Sequence, residues 1–114
     1  MRNQLSSALS RKFAAKIADA DKSIGELYLY DAIGSSMWGG IAPQDVVKAL
    51  GDMKSAKTLN VYINSPGGDV FDGVAIYNLL KRFDGPINVF VDGLAASIAS
   101  VIAMAGTTIA TAHN

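Results

Sequence analysis

The sequence predicts an α/β domain built on a largely parallel sheet. Segments with strand and helix character take turns along the chain, in the order strand, helix, strand, helix, strand, helix, strand. Two of the strand segments place apolar side chains at every second position: Leu59, Val61 and Ile63, then Ile87, Val89 and Val91. All 20 charged side chains precede Gly93, which leaves 22 uncharged residues to the end, the pattern of elements covered on most sides. Strands separated by helices imply right-handed crossovers and parallel neighbours.

Residues 1–22 read as an N-terminal arm, helical or frayed, because Leu9, Phe13, Ala14 and Ile17 recur at helical spacing among Arg11, Lys12 and Lys16. The domain proper is expected over residues 23–114. Glu26-Leu27-Tyr28-Leu29-Tyr30-Asp31 alternates and is rich in strand formers. A flexible connection follows from Ile33 to Gly40. Pro43 suits a first helical position and Asp45 the positive end of the helix dipole, with Val46, Val47, Leu50 and Met53 expected as the buried stripe. The Leu59–Asn64 strand is broken by Ser65-Pro66-Gly67-Gly68. Asp69 can cap a helix reaching about Phe83, with Val70, Phe71, Val74, Leu79 and Leu80 expected on its apolar side. Asp84-Gly85-Pro86 is a turn. The strand through Ile87, Val89 and Val91 is expected to end at Gly93, ahead of a helix around 96–105 and a short strand from Thr107 to Ala112. Met37, Met53 and Met104 read as gap fillers.

Composition removes several function classes. Ten basic residues balance ten acidic ones, which argues against a nucleic-acid arm and a polybasic membrane patch. The chain has no cysteine and one histidine, so disulfides, thiol catalysis and Cys- or His-rich metal sites are excluded, and no cofactor is expected. The uncharged stretch is diluted by Ser97, Ser100, Thr107, Thr108, Thr111 and Gly106 and lacks basic or aromatic anchors, so a buried helix and strand explain it better than a membrane span. The opening residues do not read as a signal peptide, and a cytoplasmic protein is the default.

Two loops carry the chemistry. In Asn64-Ser65-Pro66-Gly67-Gly68-Asp69, adjacent glycines at a helix start leave backbone N–H groups open to a developing negative charge. The same residues also read as a plain turn before a capped helix; a phosphate cradle is weaker, since no phosphate-loop pattern is present. In Asp92-Gly93-Leu94-Ala95-Ala96-Ser97-Ile98-Ala99-Ser100, small residues mark a sharp strand-to-helix turn that leaves the Ser97 hydroxyl uncrowded. The logic is that of a nucleophile elbow, although the G-x-S-x-G form is absent; Ser97 as a cap or packing residue is the other reading. Both loops follow strands, at the sheet end where open α/β folds hold ligands.

Val61-Tyr62-Ile63-Asn64-Ser65-Pro66-Gly67-Gly68, Gly73-Val74-Ala75-Ile76-Tyr77, Gly93-Leu94-Ala95-Ala96-Ser97 and Ala105-Gly106 resemble the Clp protease proteolytic subunit family. Asp69-Val70-Phe71-Asp72-Gly73 and Ala75-Ile76-Tyr77-Asn78-Leu79-Leu80 resemble its phage head-maturation branch. The resemblance runs from about Glu26 to Asn114. It implies a crotonase-like fold, here incomplete at the C-terminus, and a serine peptidase that assembles into homo-oligomeric rings. It further implies Ser97 as nucleophile, the N–H groups of Gly68 and Ile98 as the oxyanion hole, and Gly67-Gly68 as the border of a groove for an extended peptide. The implied partners are a peptide or protein substrate, an ATP-dependent unfoldase or phage capsid proteins, in the cytoplasm of a bacterial host, with no nucleic acid and no membrane.

The family's general base is a histidine some two dozen residues past the serine, and its orienting aspartate lies later still, so both are expected beyond Asn114. His113 falls on the strand ahead of the expected base and reads as a terminal residue. Asp69, Asp72 and Asp92 all precede Ser97 and read as helix-start and strand-end residues. The chain alone is therefore expected to be nearly inactive, and to expose apolar surface that favours self-association or a partner chain. Two other readings are a crotonase-fold acyl-CoA enzyme, which uses a two-amide oxyanion hole without a serine, and a non-catalytic assembly or scaffold subunit. Tyr28, Tyr30 and Trp38 read as ordinary packing or as a docking patch.

Overall fold

A computed structural model describes residues 13–17, 23–34 and 39–111. The elements in chain order are β1 (Phe13–Ile17), β2 (Ile24–Leu29), α1 (Pro43–Asp52), β3 (Thr58–Ser65), α2 (Val70–Lys81), β4 (Ile87–Ala95), α3 (Ile98–Ala103) and β5 (Thr108–Thr111). They form one five-stranded sheet in the order β1-β2-β3-β4-β5. β2 to β5 run parallel and β1 runs antiparallel to β2, with Phe13 opposite Leu29 and Ile17 opposite Gly25. The α/β class and the parallel sheet expected from the sequence are present.

The strand at Phe13–Ile17 stands where a helical or frayed arm was expected. Phe13, Ala15 and Ile17 also fit a period of two, and five residues are too few to separate the two periods without the partner strand. Residues 1–12, with Leu9, Arg11 and Lys12, lie outside the described residues, as do Met37, Trp38 and His113.

β2, β3 and β4 bury one face, whereas β5, expected as a buried strand, is exposed at every position. Leu27 and Leu29 of β2, Leu59, Val61 and Ile63 of β3, and Ile87 and Val89 of β4 are almost wholly inaccessible and share one core with residues of all three helices. Each step from strand to neighbouring strand is taken in the same direction across the sheet, so right-handed crossovers put every helix on the same side.

In α1, Pro43 sits in the first turn and the Asp45 carboxylate accepts from the Ala42 N–H at 2.9 Å. Its buried stripe is Val46, Ala49 and Met53, with Leu50 partly covered; Val47, expected inside, is 54% exposed. Met53 fills the core as expected, whereas Met104 is 64% exposed. In α2 the Asp69 side chain caps the helix by accepting from the Asp72 N–H at 2.9 Å. Its buried side is Gly73, Ile76 and Leu80, so the expected inward placement of Val70, Phe71 and Val74 is corrected: all three are exposed. Gly73 explains the rotation. A Cβ there would lie 2.2 Å from Ile98 Cγ1, so this bare stretch of α2 is where α3 packs. β4 continues past Gly93 to Ala95, and α3 is shorter than the expected span.

Among the described residues, no helix lies on the opposite face of the sheet. Tyr28, Tyr62 and Phe90, register partners on three adjacent strands, stack across it with ring centroids 4.6 and 5.1 Å apart, and Tyr30 meets Tyr28 edge-on at 5.8 Å. The Glu26 carboxylate accepts from the hydroxyls of Tyr62 at 3.0 Å and Tyr28 at 3.4 Å. Asn88 donates to Asn60 and accepts from Thr108, extending a polar row to β5.

Candidate active site

Strands β3 and β4 end side by side, and the two loops that follow them meet. The β4 loop turns into α3 at Ser97, whose backbone lies at φ +56° and ψ −129°. It is the only non-glycine residue with positive φ among the described residues. A Cβ-bearing residue held there costs on the order of 1–3 kcal/mol, and such strain persists only where the surroundings enforce it. The Ser97 side chain is exposed and makes no cap bond to the helix it precedes. The elbow geometry expected from the small residues around it is present, and the capping role is not.

The glycine loop lies directly against this elbow. A Cβ on Gly67 would come within 2.7 Å of the Ala96 carbonyl oxygen, 2.9 Å of Ser97 Cβ and 3.4 Å of the Ile98 nitrogen. Gly67 and Gly68 both have positive φ, +96° and +150°. No side chain fits between the loops, so backbone meets backbone. The structure thus brings Gly67, Ser97 and Ile98 together. Gly68 stands against Ile33 on its other side, where a Cβ would fall 2.1 Å from the Ile33 carbonyl oxygen.

Ile33 was not singled out in the sequence, yet it holds the glycine loop by two hydrogen bonds. Its N–H donates to the Gly67 carbonyl at 2.9 Å, and its carbonyl accepts from the Asp69 N–H at 2.9 Å. In a trans peptide the C=O and N–H point opposite ways. With the Gly67 carbonyl tied to Ile33, the Gly68 N–H of the same peptide points away from Ile33. Among the described residues, neither the Gly68 nor the Ile98 N–H donates to a backbone carbonyl. Ser65, buried to 1% exposure, accepts from the Gly67 N–H through Oγ at 3.2 Å and from the Ala96 N–H through its carbonyl at 3.1 Å. One residue therefore fastens both loops.

The ionisable groups nearest in sequence are engaged elsewhere. Asp69 caps α2, and Asp92 accepts the hydroxyl of Tyr30 on the open sheet face. That bond, followed by burial, raises the Tyr30 pKa to about 12; burial, followed by the bond to Glu26, raises Tyr62 to about 12. Among the described residues no cluster of three or more His, Cys, Asp or Glu side chains fits a metal ion. No helix among them is long and apolar enough to cross a membrane.

Among the described residues, the arrangement sets an exposed serine on a constrained backbone against the Gly67–Gly68 loop, with the Gly68 and Ile98 N–H groups donating to no backbone carbonyl. That combination suits attack on an acyl carbonyl. The sequence pattern of the family described as Clp protease matches residues 15–112. An ATP-dependent Clp protease proteolytic subunit from Ligilactobacillus salivarius is 49% identical over 53 residues, which are 46% of this chain and 27% of that protein. The corresponding subunit 1 of Salinibacter ruber is 40% identical over 52 residues, 46% of this chain and 22% of that protein. The aligned stretch is thus about a quarter of these relatives' length. Among solved structures, an enoyl-CoA hydratase from Shewanella pealeana superposes with a TM-score of 0.66 at 14% identity, covering 93% of this chain and 49% of that one. A provisionally assigned peptidase from Parabacteroides merdae superposes with a TM-score of 0.57 at 11% identity, covering 97% and 47%. These two share the crotonase-like fold with this chain.

Proposed function

We propose, from the premise that this chain belongs to the Clp protease family, that it carries the nucleophile and oxyanion hole of a serine endopeptidase. The observation that carries the reading is the contact between the two loops: Gly67 packed on Ser97 and Ile98, with Ser97 held at positive φ. In this reading the Ser97 Oγ bonds to the carbonyl carbon of a peptide and gives up its proton to a base. The carbonyl π electrons move onto the oxygen, which the N–H groups of Gly68 and Ile98 hold. Collapse breaks the C–N bond, the departing amine takes the proton, and water then hydrolyses the serine ester. Gly67 and Gly68 border the groove where the substrate lies extended.

The base and its orienting acid are supplied from outside these residues. His113 is the single histidine, and Asp69 and Asp92 have other partners. The 114-residue chain by itself is therefore a poor peptidase at neutral pH. The substrate is a peptide or protein, the working form a homo-oligomeric ring, and the setting the bacterial cytoplasm. Prohead processing is the role that the wording of residues 69–80 favours, with capsid proteins as substrates; an ATP-dependent unfoldase is the other candidate partner. An acyl-CoA enzyme or a scaffold subunit needs no hydroxyl on a strained backbone, so Ser97 favours the peptidase over both.

A fluorophosphonate probe tests this. In the assembly that supplies the base, the probe should label the chain at Ser97, and Ser97→Ala should abolish labelling. No labelling, or labelling unchanged in Ser97→Ala, refutes the nucleophile. Ordinary rates of peptide hydrolysis by the chain alone at pH 7, lost in Ser97→Ala, refute the outside base.

A further inference from the structure

The ladder between β3 and β4 breaks just before the site. Ile63 pairs with Val91, and the next pair is Ser65 with Ala95, so Asn64 alone stands opposite Asp92, Gly93 and Leu94. Three residues facing one would leave the strand that leads into Ser97 without its regular bonds. The Asn64 side chain fills the gap: its Oδ1 accepts from the Leu94 N–H at 3.1 Å. The amide lies over Gly93, where a Cβ would be only 2.8 Å from Oδ1. The ladder then resumes with the Ala96 N–H on the Ser65 carbonyl, one residue before the elbow.

We infer that Asn64 is a positioning residue for Ser97, setting the path of the bulged strand so that the elbow meets the glycine loop. This rests on the reading of Ser97 as nucleophile. Asn64 touches none of the reacting atoms and acts through the Leu94 amide. Asn64 and Ser65, adjacent on β3 and on opposite faces of the sheet, thereby divide the work: Asn64 steers the β4 loop, and Ser65 ties it to the glycine loop. Gly93 is the third member, since its missing side chain makes room for the Asn64 amide.

The test is amide NMR on the 114-residue chain. Asn64→Ala should speed exchange of the Leu94 N–H about tenfold, the worth of one modest hydrogen bond. It should also shift the amide resonances of Ser97 and Ile98 while leaving Val61 and Leu80 in place. Asn64→Asp, whose carboxylate accepts the same N–H, should restore both. Gly93→Ala, whose methyl displaces the Asn64 amide, should reproduce the Asn64→Ala pattern, and it carries the test if Asn64→Ala does not fold. Unmoved Ser97 and Ile98 resonances in the folded variants, or an Asp variant as perturbed as the Ala variant, overturn the proposal. So does an unchanged rate of fluorophosphonate labelling at Ser97 in Asn64→Ala. Failure of the nucleophile reading looks different: the probe then misses Ser97 in the unaltered chain, whatever the resonances show.

Discussion

Replacing Gly67 by alanine tests the contact between the two loops. The new methyl carbon would lie 2.7 Å from the Ala96 carbonyl oxygen and 2.9 Å from Ser97 Cβ, on a backbone at φ +96°. The first neighbour is main chain, so no side-chain rotation relieves the clash. Strain at this φ costs about 1–3 kcal/mol, and forcing a methyl into a closed contact costs about 1–3 kcal/mol more. The expected loss is therefore about 4 kcal/mol. With a urea slope of about 2 kcal/mol/M, the unfolding midpoint falls by about 2 M. Gly51 supplies the control. It lies in α1 with nothing within 4 Å of its would-be Cβ, so Gly51→Ala should stabilise by about 0.5–1 kcal/mol. Urea titrations followed by circular dichroism measure both. A Gly67→Ala variant within about 0.5 kcal/mol of the unaltered chain refutes the packing of these loops.

Leu80 is fully buried on α2, so Leu80→Ala should cost about 2–5 kcal/mol, whereas Phe71→Ala, at 86% exposure, should change stability by under about 0.5 kcal/mol in the same titration. Asp69→Ala removes the α2 cap and should cost about 1 kcal/mol, with Asp69→Asn close to neutral; equal losses in both variants would refute the cap. Tyr30 and Tyr62 titrate near 12 in the folded chain and near 10 when unfolded. The raised values mean that their contribution is complete below pH 10 and is lost as the pH climbs from 10 through 12. Absorbance at 295 nm that shows both phenols ionising near 10 in the folded chain would refute this.

The parallel strands and their connecting helices were legible because the signals are local. Leu59, Val61 and Ile63 alternate, Asp69 stands one residue before a helix, and Pro43 opens another. Ser97 was legible as an elbow for the same reason, since small residues cluster ahead of it. What failed was rotation. α2 carries Val70, Phe71, Val74, Ile76, Leu79 and Leu80, so apolar residues surround it and no stripe stands out; the small contact at Gly73 against Ile98 decides which side turns in. Ile33 and Asn64 were missed as site-builders for another reason. Their partners lie about 30 residues away, at Gly67 and Asp69 in one case and Leu94 in the other, and their roles come from backbone bonds and a skipped register that no local pattern announces.

The three rings stacked across β2, β3 and β4 also give the molecule an optical signature. Tyr28 and Tyr62 overlap nearly face to face, tilted by 13°, because the residues that carry them are paired in register. Sliding either strand by one residue would throw its ring to the opposite surface and break the stack. The near-ultraviolet dichroism of this aromatic column therefore reports strand alignment directly, and a chain that kept its helices while losing that band would be folded in outline but mispaired in its sheet.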